Sequence, residues 1–225
     1  MTTDPRMGRH RAWGDTIAEA ALIPILYRER RGLAPDAPVR LRCPFVVTDI
    51  ETTSLRADTP ILEVAAVLVR RNGTVDVDNA LHVMVNDPRV TEDVFHSSWV
   101  AQNSTITWEE VQGGMSPRDA GHTLRHFHPL KVWTSFNRTF DLPRLKRTLD
   151  VDPEACLRNK KGEELDVCLM HSAINTLRLI CTREKIPQMW SGKWDKPRIK
   201  FDDAQRIFER RGHTFPTFYG EDDHG

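Results

Sequence analysis

The stretch VVTDIETTSL, Val46 to Leu55, decides how this chain is read. An apolar run leads into two carboxylates, Asp49 and Glu51, with one isoleucine between them, and the hydroxyls of Thr52 and Thr53 follow at once. Successive side chains of a strand point to opposite faces, so Asp49 and Glu51 project to the same side. Two anions held together raise each other's pKa and destabilise the fold unless cations offset them. Carboxylates with no Cys or His pair beside them suit hard cations such as Mg²⁺ or Mn²⁺ rather than Zn²⁺. The plain alternative is a strand that ends at solvent with both acids hydrated.

The flanking sequence supplies the rest of a sheet. FVVTDI reads as a buried strand, and ILEVAAVLVRRNGTVDVDNALHVMV reads as two strands joined at Asn72-Gly73, a strong hairpin signal. TWEEVQGGMSPRDAGHTLRHFH has helical patterning with turns. VWTSF is a further strand, LPRLKRTL a helix after it, and ELDVCLMHSAINTLRLI a short strand running into a helix. KFDDAQRIFERRG is a helix ending at Gly212. Strands first, then alternating helices and strands, indicate an α/β fold with a mixed sheet and helices packed on it.

A second acid sharpens the first. SFNRTFDLPRL places Asn137, Phe140 and Asp141 just after a strand, where Asp141 could also be a simple helix N-cap. The combination D-x-E-T-T, then ILEVAAV, then N-x-x-F-D-x-P-x-L is far more specific than any part of it. In these motifs the chain resembles the DEDD family of 3′→5′ exonucleases, the group that contains polymerase proofreading subunits, RNase T and oligoribonuclease. The resemblance runs from about Phe45 to the C-terminus. It implies a ribonuclease H-like fold, a five-stranded mixed sheet flanked by helices.

The resemblance also implies chemistry. Two ions, Mg²⁺ or Mn²⁺, would be held by Asp49, Glu51 and Asp141, with Asp49 bridging them. Thr52, Thr53, Leu55, Asn137 and Phe140 match positions that contact or shape the site of the terminal nucleotide. Glu63 matches an acid on the family's second strand, its role here open. The family's last motif is His, four residues, then Asp in one branch, and Tyr, three residues, then Asp in the other. His224 with Gly225 reads as the start of the first, with its acid beyond the last residue, while Tyr219 to Asp223 satisfies the second. On that reading residues 41–225 form an exonuclease domain truncated within its last motif. Residues 1–40, with the helical run DTIAEAALIPILYRERRG and the linker LAPDAPV, form an N-terminal extension. Pro24 inside that run predicts a kink or a late helix start.

The activity implied is removal of nucleotides from the 3′ ends of single-stranded DNA. The alternatives are RNA trimming and a non-catalytic module that binds nucleic-acid ends, and a DNA polymerase is the candidate protein partner. Bulk properties are compatible with this. Lys plus Arg and Asp plus Glu both number 32, so the chain does not coat nucleic acid by net charge. It can still hold a few nucleotides in one cleft, and KWDKPRIK, Lys193 to Lys200, interleaves Trp190 and Trp194 with cations in a manner suited to bases and phosphates. No apolar run approaches the roughly 20 residues that span a bilayer, so no membrane partner is expected. The four widely spaced cysteines argue against a zinc site or a disulfide framework and fit a reducing, cytoplasmic setting.

Overall fold

A computed structural model describes residues 11–127, 132–152, 168–193 and 196–216, with the side chains of 192–197 outside the description. His224, Tyr219 and Asp223 therefore lie outside the described residues, as does Trp194.

Strand β1 (Phe45–Thr52) is central. It pairs antiparallel with β2 (Ile61–Val69), which pairs antiparallel with β3 (Val75–Met84), and on its other edge it runs parallel to β4 (Val132–Thr134). The sheet order is β3-β2-β1-β4. The expected hairpin forms: Gly73 takes a φ of 84°, and the Asn72 side chain accepts the Thr74 backbone N–H at 3.1 Å. The sheet thus has four described strands where five were expected. Beyond β4 there is an isolated parallel bridge from Ser135 to Cys168, and most of the segment expected to hold the fifth strand lies outside the described residues.

The two faces of the sheet are packed separately. Val46, Ile50, Val64, Ala66 and Val83 point toward α5 (Pro117–Phe127) and α6 (Arg138–Leu149). The short helices α2 (Glu92–His96), α3 (Trp99–Asn103) and α4 (Trp108–Gln112) gather around Phe95 and Leu62. Val47, Val67 and Val69 point the other way, into a core built by α1 (Ala12–Arg31), α7 (Leu169–Glu184) and α8 (Phe201–Arg210). Between α7 and α8 stand two short strands, β5 (Ser191–Lys193) and β6 (Lys196–Arg198), paired antiparallel.

Helix α1 passes straight through Pro24 for 20 residues and stops at Gly32, whose φ is 64°. The proline neither ends nor delays the helix, and it lies against the β2–β3 turn: a β-carbon on Gly73 would sit 3.1 Å from that of Pro24. Ala12, Ile17, Ala20, Leu22, Ile25 and Leu26 are all buried, so this helix shares the core of the sheet. Its far end is tied to α8 through Glu29, which accepts from Arg211 at 2.8 Å and contacts His213 at 2.9 Å.

Candidate active site

Alternation along β1 gives the opening pair of acids its address. Val47 belongs to the α1 core, so Asp49 and Glu51, two and four residues on, lie on the α1 side of the sheet. There the first turns of α1 bring Asp15 and Glu19 over the end of the strand. Carboxylate oxygens of Asp15, Asp49 and Glu51 lie within 4.8 Å of one another.

Asp141 arrives from β4 and the start of α6. Asn137, the N-cap of α6, has a φ of −111° and ψ of 64°, and its carbonyl accepts the N–H groups of Phe140 at 2.7 Å and Asp141 at 3.1 Å. The helix thus begins at Arg138, and Asp141 is its fourth residue, not its N-cap. Its side chain is buried at the cleft. The cleft holds about 480 Å³ and is lined by Asp15, Glu19, Asp49, Glu51 and Asp141, together with Asn137 and Phe140. Trp99, Lys200 and Asp202 also line it.

The charges are strongly coupled. Burial pushes the Asp49 carboxyl well above the usual range, and Glu19, Asp141, Glu51 and Asp15 push it further. Burial acts likewise on Glu19, reinforced by Asp141 and Asp15 and opposed by the Phe136 N–H, which donates to Glu19 Oε2 at 3.1 Å. Asp141 is raised to about 7 by burial, against the pull of the Ser135 hydroxyl and the Arg144 guanidinium. Such a cluster holds protons until a cation replaces them. An all-oxygen donor set of this density fits a hard divalent ion.

The residues expected around the terminal nucleotide divide into two groups. Asn137 and Phe140 line the cleft. Thr52 instead ends β1, and Thr53 and Leu55 belong to the turn after it. Thr52 donates to the Ser54 carbonyl at 2.8 Å, Thr53 and Thr59 share a hydroxyl contact of 2.7 Å, and Leu55 is 84% exposed. Arg144 pins this turn to α6 by donating to the carbonyls of Leu55 and Arg56, with its guanidinium over the Phe140 ring.

Sequence reasoning missed Asp15, Glu19 and Trp99, whereas Lys200 belongs to the basic run KWDKPRIK. For Asp15 a signal was present: His10-Arg-Ala-Trp-Gly-Asp15 has the same His, four residues, Asp spacing that was sought near the C-terminus. His213 is buried against Glu29, and His171 is exposed on α7.

No protein-family model matches the chain, and no curated protein matches it in sequence. Among solved structures the fold is similar to exonuclease I. One match is the complex with the inhibitor BCBP, at a TM-score of 0.51 and 13% identity over 74% of this chain and 36% of that one. The E. coli enzyme with a dA16 oligonucleotide gives a TM-score of 0.50 at 14% identity, over 73% of this chain and 36% of that one. The product-bound form gives 0.51 at 15% identity, over 74% of this chain and 38% of that one. This chain thus spans little more than a third of the exonuclease I chains it matches.

Proposed function

We propose that this protein is a metal-dependent 3′→5′ exonuclease that hydrolyses phosphodiester bonds at the ends of single-stranded DNA. The observation that carries the reading is convergence: acids from α1, β1 and α6, distant in sequence, meet in one cleft. Support comes from the fold shared with exonuclease I, which is seen with dA16 and dT13 oligonucleotides.

Asp15, Asp49, Glu51 and Asp141 would hold two divalent cations, Mg²⁺ or Mn²⁺. When bound, such ions offset the charge of the scissile phosphate and lower the pKa of an attacking water. The chain's own residues do the remaining work. Lys200, at the start of α8, offers a positive charge to the strand's phosphates, and Trp99, 53% exposed on α3, offers a face for a base to stack on. Asn137 orients the end of the strand beside Asp141.

The proton acceptor in this reading is His10, because its acid partner by spacing, Asp15, already stands with Asp49 and Glu51. A neutral imidazole is suited to that role near pH 7. His224 is the rival candidate named by the sequence. The two are told apart by His10→Ala and His224→Ala, of which only the first should abolish turnover.

The test of the whole reading is digestion of single-stranded DNA labelled at its 5′ end, with Mg²⁺ or Mn²⁺. A ladder shortening from the 3′ end, lost with EDTA and lost in Asp49→Ala, is the expected result. Digestion that survives Asp49→Ala would contradict it. Faster hydrolysis of an RNA strand of the same sequence would move the substrate from DNA to RNA.

A further inference from the structure

Glu63 is a fully buried acid on β2. It is paired in register with Glu51, so the two side chains leave the sheet on the same face. A carboxylate with no solvent is destabilising unless its oxygens are satisfied, and here both are. Oε2 accepts the backbone N–H of Ala12 at 2.8 Å. Oε1 accepts Arg11 Nε at 3.0 Å and meets His82 Nε2 at 2.6 Å.

Ala12 and Arg11 belong to the start of α1, and His82 stands on β3. The N-cap residue, Arg11, makes no side-chain capping bond of its own. The first N–H groups of a helix have no partner inside it, so a carboxylate from the sheet takes the place of a cap and faces the positive end of the helix dipole. Arg11 then reaches past Glu63 to Glu110 on α4, at 3.2 Å, and Trp13 rests against the His82 ring with centroids 5.8 Å apart. Asp15 lies one turn further on, its N–H bonded to the Arg11 carbonyl at 3.1 Å.

We infer that Glu63 is a positioning residue: by fixing the first turn of α1 to the strand that carries the partner of Glu51, it sets Asp15 against Asp49 and Glu51. This rests on the proposed metal site. The path is short and rigid, from Glu51 across one strand pairing to Glu63, then through one hydrogen bond to Ala12 and along one helical turn to Asp15. Glu63 touches neither substrate nor ion, and its effect is carried by the helix.

The experiment compares the full-length protein with Glu63→Gln and Glu63→Ala. It measures Mn²⁺ affinity by calorimetry without substrate, then kcat and KM on single-stranded DNA. Partners that orient metal ligands typically change metal affinity by about 10–100-fold. Glu63→Ala should lose that much Mn²⁺ affinity and kcat, with KM within about threefold, since the substrate-facing residues are untouched. Glu63→Gln keeps an oxygen for the Ala12 N–H and should recover most of the loss. Should Glu63→Ala fail to fold, Glu63→Met, which fills the space but offers no oxygen to the Ala12 N–H, carries the test together with Asp15→Ala. Once position 15 cannot bind, Glu63→Met should cost no further Mn²⁺ affinity. A full additional loss in that background, or wild-type Mn²⁺ affinity and kcat in folded Glu63→Ala, would overturn the inference. Mn²⁺ binding that depends on Glu63 in a wild-type protein with no nuclease activity would leave this inference standing and sink the nuclease reading instead.

Discussion

Individual side chains in the cleft differ sharply in what their removal should do. Asp15→Asn keeps the shape and removes one negative charge from a trio within 4.8 Å. It should lower kcat by about 100-fold or more, because it disturbs ion placement rather than strand binding. Steady-state kinetics in saturating Mn²⁺ check this. Trp99→Ala should act in the opposite way. Stacking of a base on an aromatic ring is worth about 1–3 kcal/mol, so KM should rise about 5-fold or more while kcat stays within a fewfold.

The same acids set the protein's response to pH when no metal is present. Glu19, Asp49 and Asp141 are raised in the folded chain, Asp141 to about 7. The folded state therefore binds protons more tightly than the unfolded one, whose carboxyls titrate near 4. Their contribution is fully present below about pH 4 and is lost as pH rises toward 7. In EDTA, melting temperature should fall between pH 5 and pH 8 by about 5 °C or more on account of this cluster, and Mg²⁺ or Mn²⁺ should remove most of that fall. A melting temperature that rises over this interval in EDTA, with no response to added metal, would contradict the electrostatic account.

At the scale of elements, the site depends on two helices meeting one strand end. The part carried by β1 was legible from sequence, because a strand ending in Asp-x-Glu keeps both acids on one face whatever surrounds it. Asp141 was legible as an acid after a strand, but its place in the helix was not: the turn at Asn137 starts α6 four residues earlier than the LPRL run suggests. Helix α1 was the real blind spot. Lying before a proline-rich linker, it reads as an extension, and its His10–Asp15 spacing stands at the opposite end of the chain from the family's last motif. Periodicity shows that a helix has an apolar face, not which sheet covers it. Helix packing on the opposite face is equally specific. A methyl group on Gly121 of α5 would run into the Leu149 carbonyl at the end of α6. Gly121→Ala should therefore destabilise the protein by about 2–3 kcal/mol, read by denaturant unfolding, with little change in Mn²⁺ affinity of the folded fraction.

Across the whole molecule, the arrangement is a sheet with an apolar layer on each face and an acidic cleft at one end of β1. Helix α1 is held at both ends, by Glu63 near its start and by the Glu29 bonds to Arg211 and His213 near its finish. That double attachment lets one turn of helix bring Asp15 and Glu19 over the end of a strand from another part of the chain. The central claim is that these separate segments form one divalent-metal centre. Anomalous diffraction from crystals soaked in Mn²⁺ tests it most directly. The account predicts density peaks for ions among the carboxylates of Asp49, Glu51, Asp15 and Asp141. Well-ordered crystals with no peak among these carboxylates, or with an ion that Asp15 and Asp141 both leave uncoordinated, would contradict it.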